Sequence, residues 1–243
     1  MLTSSTPSEY LETSENLSKV GEQRYEIKLR ADHFDMPRVM TLLRLHSVGF
    51  STSYPQRRVN NIYFDTPDLS SVEENLAGIS VRRKMRLRWY GDTTKIVRGT
   101  WEIKCKVAGL GWKITQPMEA EISLQGTEWK DVLKILWEHS SDTISAQLRL
   151  GLVPTLINYY SRRYFESRDG YIRATVDFEQ TFFDQRFSSS PNLKRHLLNT
   201  DGIIVELKAA PDQFDLLAKS VQQFPLRVTR NSKYMTGILL SIN

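Results

Sequence analysis

Polar and apolar residues alternate with a period of two along much of this chain. "RYEIKLR" (24–30), "RRVNNIYFD" (57–65), 79–90, 100–108 and 112–124 carry that period, which predicts strands. Further strands are expected at 154–167, 171–180 and 202–209, with "RDG" (168–170) as the hairpin turn between the first two. Helical spacing marks 35–46, where Asp35 is placed to cap and Pro37 to occupy the first turn. It also marks 127–139, with Trp129, Leu133, Leu136 and Trp137 on one face, and 142–150, 211–223 and 231–242. Residues 1–21 are polar and weakly patterned, read as a flexible arm or short peripheral helix. That leaves 22–243 as one domain with no linker or repeat inside it.

The strands share an unusual phase. In "SVRRKMRLRWY" (80–90) every second position, Arg82, Lys84, Arg86 and Arg88, is a cation, and Met85, Leu87 and Trp89 alternate with them. The same spacing recurs in Arg24, Glu26, Lys28 and Arg30; in Glu102, Lys104 and Lys106; and in Glu119 and Glu121. It returns in Arg173, Thr175 and Asp177, and in Glu206 and Lys208. Side chains at i and i+2 share one strand face, so each strand opposes a charged face to an apolar one. Two arrangements satisfy that pattern: an open antiparallel sheet with a wet charged face, or a closed barrel whose charged face lines a tunnel. The large apolar groups behind each charged face need cover, which the amphipathic helices can supply from outside. That favours an α+β fold in which the charged side is the inside.

Such a lumen calls for an anionic guest. Two like unit charges 4 Å apart cost about 4 kcal/mol at an effective dielectric of 20, so clustered cations need carboxylates, water and above all a polyanion. Arg pairs bidentately with phosphate oxygens and Lys supplies point charge. The carboxylates among them either balance charge or hold a hard divalent ion carried in with the phosphates. Overall charge is only +5, from 33 basic and 28 acidic residues, and no exposed basic stripe with stacking aromatics is visible, so nucleic acid is not the expected partner. The single cysteine, Cys105, excludes an internal disulfide and metal–thiolate chemistry and fits a reducing compartment. No apolar run approaches about 20 residues and no leader-like pattern opens the chain, so a soluble, cytoplasmic protein is expected.

The series "RYEIK" (24–28), "NNIYFDT" (60–66), "RKMRLRWYG" (83–91), "WEIKCK" (101–106), "YYSRRYF" (159–165), "YIRATVDF" (171–178), "IVELK" (204–208) and "RNSKYMTG" (230–237) resembles the VTC domain. That domain is the polyphosphate polymerase module of the vacuolar transporter chaperone complex, within the triphosphate tunnel metalloenzymes. The resemblance implies an eight-stranded antiparallel β-barrel tunnel, ATP-dependent polyphosphate synthesis, Mn2+ or Mg2+ as cofactor, and a membrane-protein partner that this sequence does not encode. Carried over by position, it makes Lys28, Arg86, Arg88, Lys104, Arg162 and Arg173 the catalytic phosphate wall. Arg24, Lys84, Lys106, Lys113, Lys208, Arg230 and Lys233 extend substrate binding, and Glu206, with Glu26, holds the metal. Arg162 and Arg163 compete for one role, and the Tyr-x-Arg spacing favours Arg162. Glu26 matches the second acid of the superfamily's Glu-x-Glu-x-Lys motif while Arg24 replaces the first, which lowers the expectation of a two-metal, water-activating hydrolase.

The expected mechanism is phosphoryl transfer from a nucleoside triphosphate to polyphosphate, by positioning and electrostatics. A terminal phosphate oxygen is already anionic, so no general base is required, and His33, His46, His139 and His196 read as helix or loop residues. Tyr63, Phe64 and Asp65 read as a strand end and turn. Trp89, Tyr90, Tyr159, Tyr160 and Tyr164 are expected in the core, with stacking on a base as their second use. A triphosphatase, or a binding module for polyphosphate or inositol pyrophosphate, would use the same tunnel.

Overall fold

The computed structural model describes residues 19–32, 35–107, 109–197 and 202–242. His33 and residues 1–18 of the expected arm lie outside them. The strands are β1 (Lys19–Val20), β2 (Tyr25–Ala31), β3 (Ser51–Asp65), β4 (Arg82–Tyr90), β5 (Lys95–Val107), β6 (Leu110–Ser123), β7 (Val153–Glu166), β8 (Arg173–Asp184), β9 (Ile203–Ala209) and β10 (Arg227–Thr229). The helices are α1 (Met36–Leu45), α2 (Ser70–Leu76), α3 (Trp129–Glu138), α4 (Asp142–Leu148), α5 (Phe214–Gln222) and α6 (Lys233–Ile242). Asp35 caps α1, accepting from the Arg38 N–H at 2.9 Å.

All ten strands form one antiparallel sheet in the order β1-β6-β5-β4-β3-β7-β8-β9-β2-β10. The order is open-ended, with ten strands rather than a closed ring of eight. Two of the additions, β1 and β10, are too short for alternation to reveal. The sheet nevertheless curls strongly. Lys104 on β5 and Glu26 on β2, near opposite ends of the order, form an ion pair at 3.2 Å. Arg24 and Gly111, at the approaches to β2 and β6, exchange backbone hydrogen bonds of 3.0 and 3.1 Å.

The apolar faces are covered from outside by two separate layers. Trp129, Val132, Leu136, Ile144 and Leu148 of α3 and α4 pack on Met85, Leu87, Trp101, Ile103 and Met118 of β4–β6. Val39, Leu43, Leu217 and Val221 of α1 and α5 pack on Leu29, Val176, Val205 and Leu207. At about 25 cal/mol per Å², each fully buried Leu or Val in these layers contributes about 1.5–3 kcal/mol, enough to decide which face turns outward. No described helix is long and apolar enough to cross a membrane.

The remaining two helices meet the charged-phase side at one end. Tyr234, Met235 and Ile238 of α6 pack on Tyr63, Leu156 and Phe182, with Val72 of α2. Gly237 makes this approach: a Cβ there would overlap Leu156 and stand 2.8 Å from Phe182. Asp65 is fully buried and ties the pieces together. It accepts from the Tyr234 hydroxyl at 2.7 Å and from the Ser71 N–H at 3.1 Å.

Candidate functional site

The concave face collects charge from strands that are distant in sequence. Glu102 on β5 lies opposite Arg86 on β4 and accepts from Arg86 Nε at 2.7 Å, Lys113 Nζ at 2.8 Å and Arg88 Nη1 at 3.4 Å. Burial opposes its ionisation, but Arg86, Arg88 and Lys113 overcome that and hold its carboxyl well below the usual range. Asp177 on β8 is gripped by Arg162 through a two-point fork at 2.5 and 2.7 Å and by Lys233 of α6 at 2.5 Å. Burial again acts against the carboxylate, and Arg162 and Lys233 bring it down to about 2. Glu206 pairs with Lys208 at 2.5 Å and stands 4.0 Å from Arg162. Glu26 takes Lys28 and Lys104, each at 3.2 Å. Burial and Glu206 raise the Glu26 pKa, yet Lys104, Lys28 and Lys208 prevail and set it at about 2.

Cations outnumber these four carboxylates. Lys84, Lys104 and Lys113 stand directly opposite one another on β4, β5 and β6. Lys84 donates to Ser232 Oγ at 3.4 Å and stands over the Tyr234 ring at 5.7 Å, and no carboxylate pairs with it among the described residues. Its pKa falls from 10.5 to about 7, through burial first and then Arg82, Lys28 and Lys104. Lys104 falls to about 8; burial is the main cause, with Lys28 and Arg86 adding to it against Glu26 and Glu206. The Lys104 side chain, though enclosed by the surrounding strands, is still 41% accessible, so it lines the concave face rather than packing in a core. Burial also pulls Lys113 and Lys208 down, despite Glu102 and Glu206 beside them. Burial is the leading cause for all four lysines, and the carboxylates near them do not fully offset it.

The residues named from sequence divide by position. Lys28, Lys84, Arg86, Arg88, Lys104, Lys113, Arg162, Lys208, Lys233, Glu26 and Glu206 are brought together on the concave face. Arg163 turns away, bonded to Gln56 at 3.0 Å. Arg173 is not in the cluster: it stands at the start of β8, its side chain 74% exposed and paired with Glu166 at 3.5 Å. The strand phase is right, but β8 begins there and the side chain overhangs the rim. Arg230 and Lys106 are exposed; Arg82 lies opposite Lys106 and Arg230 acts on it, so the three form a second, cationic rim. Arg24 is placed at the β2–β6 junction through its backbone. Glu119 and Glu121 share the phase but pair on the surface with Arg98 and Lys95.

Several participants escaped the sequence reading as site residues. Glu102 and Asp177 were visible as charged-phase positions, and only their convergence with Arg86, Arg88, Arg162 and Lys233 gives them a role. Asn61 and Asn158 gave a weaker signal, amides within apolar strands. Asn61 accepts from Arg88 Nε at 3.2 Å and donates to Asn158 Oδ1 at 2.9 Å, so it orients the guanidinium. The Asn158 Nδ2 and Thr175 Oγ1 atoms are buried with no partner, leaving hydrogen-bonding capacity on the concave-face strands.

The carboxylates that could hold a divalent cation are Glu206 and Glu26, which lie on neighbouring strands, with Glu206 acting on Glu26. Among the described residues no group of three His, Cys, Asp or Glu gathers. Two ionised carboxylates fit an ion such as Mg2+ or Mn2+ that keeps its other positions for phosphate oxygens and water.

No curated protein matches the sequence. Among solved structures, a protein described as an adenylate cyclase from Vibrio parahaemolyticus superposes with a TM-score of 0.47 at 14% identity, covering 87% of this chain and 95% of that one. A protein from Hippeastrum, described as an adenylyl cyclase candidate with a dominant triphosphatase activity, gives 0.48 at 16% identity over 90% and 95%. The PH1819 protein of Pyrococcus horikoshii OT3 gives 0.46 at 14% over 90% and 99%. The sequence match is more decisive: residues 22–242 fit the model of the VTC domain, a span that holds every strand of the charged face, and the chain belongs to the VTC domain family.

Proposed function

We propose that the concave face is a phosphate-binding tunnel in which a nucleoside triphosphate transfers its terminal phosphoryl group to polyphosphate. The observation that carries this reading is the cation surplus around Lys84, Lys104 and Lys113, which a chain of phosphates would neutralise and a small neutral substrate would not. The curling of the sheet, with Glu26 and Lys104 meeting across it, supports closure into a barrel-like wall. Arg86 and Arg88, pre-set by Glu102 and Asn61, present forks to phosphoryl oxygens, and Arg162 and Lys233 continue that grip from the Asp177 side. Lys28, Lys104 and Lys208, each paired with Glu26 or Glu206, supply point charges. Arg173 would meet phosphate only as it enters over the rim. Glu206 and Glu26 would hold Mn2+ or Mg2+, which when bound neutralises charge on the phosphoryl oxygens.

Transfer to an existing phosphate chain needs no proton acceptor, and the site suits that. Every carboxylate on it is tied to a lysine or arginine. His46 lies away, bonded to the Ser220 carbonyl at 2.9 Å between α1 and α5. One observation favours a second reading: Lys84, with a pKa of about 7, is partly neutral at physiological pH and could accept a proton from water, as a triphosphatase requires. Incubation with ATP and Mn2+, with products resolved on a gel and orthophosphate assayed, separates the two. Polymer that lengthens with time supports transfer, orthophosphate without polymer supports hydrolysis, and neither product with tight polyphosphate binding leaves a sensor.

A further inference from the structure

The two ends of the charged face differ in chemistry. One carries Arg82, Lys106 and Arg230 beside the start of α6. The other carries tyrosines. Tyr90 lies two residues beyond Arg88 on the same face of β4, and Tyr164 two beyond Arg162 on β7, each about 7 Å further along its strand. The β4 pairing of β3 ends at Val59 opposite Tyr90, so residues 51–58 of β3 run on beyond it, paired only with β7. This overhang holds Tyr54 and Arg57, with register shifts on either side of Tyr54 and before Arg57 that re-aim their side chains.

The Arg57 guanidinium stands 5.5 Å from the ring centre of Tyr54, 5.6 Å from Tyr90 and 5.9 Å from Tyr164. It lies over all three rings at cation–π distance, and Tyr54 meets Tyr164 edge-on at 5.9 Å, while Tyr54 and Tyr90 remain 58% and 48% exposed. Beside Tyr90 opens a shallow cavity of about 290 Å³, lined also by Asp92, Lys95 and Arg98. Asp92 is exposed and ionised, its carboxylate held by the Thr94 N–H and hydroxyl at 2.7 and 2.8 Å.

We propose that this rim of Tyr54, Arg57, Tyr90 and Tyr164 is a subsite for the planar heteroaromatic base of a nucleoside triphosphate whose phosphates lie at Arg88 and Arg162. The assignment rests on the phosphate-binding reading of the concave face and adds the part of the substrate that is not phosphate. A polyphosphate chain gains nothing from tyrosine faces, whereas a base gains a stack on an exposed face of Tyr90 or Tyr54 beside the Arg57 guanidinium. Asp92 adds an acceptor for an exocyclic amino group. The opposite, cationic rim has the chemistry a bare phosphate chain needs, so the two ends are distinguished by ligand.

The test compares ATP with inorganic tripolyphosphate, which lacks a base, by titration calorimetry on the full chain. Tyr90→Ala lowers the ratio of ATP affinity to tripolyphosphate affinity by about tenfold, the size of one base–aromatic stack, and Tyr90→Phe restores it. Arg57→Ala lowers the same ratio. An unchanged ratio in both alanine variants, or equal weakening of both ligands, overturns the subsite while leaving the phosphate site intact. Wild-type protein that binds neither ligand overturns the phosphate reading itself and the subsite with it.

Discussion

Glu102 shows how single residues set this site. Its two oxygens are divided among Arg86, Arg88 and Lys113, so one buried carboxylate fixes three cations of the concave face. Glu102→Ala leaves those cations facing one another and costs about 3–5 kcal/mol of stability; urea unfolding measures it, and added tripolyphosphate recovers part of the loss. Lys84 makes the opposite case, a cation whose neighbours expel its proton. Between about 7 and 10.5 the unfolded chain keeps that proton and the folded chain does not, so Lys84 makes the empty protein more stable as pH rises through that window. A bound polyanion favours the charged form, so tripolyphosphate affinity falls as pH rises through about 7 for Lys84 and about 8 for Lys104. Lys84→Met flattens the lower part of that profile and stabilises the empty protein at pH 6, both read by calorimetry and thermal melts. None of this coupling is visible in the string "RRKMRLRWY", where Arg83 and Lys84 are both simply cations.

At the scale of elements, the long strands and the amphipathic helices were legible because period and phase are local properties of the chain. Alternation located β2, β4, β5, β6, β7, β8 and β9 and gave a charged side for each except β7, where Arg162 came only from the family resemblance. It shortened β3, whose outer half is exposed on both faces and therefore carries no alternation. It missed α2 altogether, seven residues anchored by Asp65 from outside the helix. The last helix was expected from its spacing, but not that Gly237 lets it press on the inner side of β7 and β8. Alanine is better than glycine inside a helix by about 1 kcal/mol, yet the overlap with Leu156 and Phe182 outweighs that gain. Gly237→Ala therefore destabilises by about 1–3 kcal/mol, and hydrogen exchange shows the loss first in α6.

For the whole molecule, the surplus of enclosed cations means that stability and ligand occupancy are linked. Tripolyphosphate at about 100 times its dissociation constant adds about 2.7 kcal/mol, which raises the melting temperature of a chain of this size by about 5–10 °C; high salt erodes the shift by screening. No shift with tripolyphosphate or ATP at low salt would count against a polyanion site. The sequence by itself determined which residues share a strand face, that those faces are cationic, and that the apolar faces behind them need helical cover. Those follow from backbone geometry and burial, which act between near neighbours. Only the tertiary structure decided which charged faces meet, that Glu102 and Asp177 are shared anchors, that Arg173 overhangs while Arg162 turns in, and that Lys84 pairs with no carboxylate among the described residues. Electrostatic energy depends on distance through space and on exclusion of water, and a pattern along the chain contains neither.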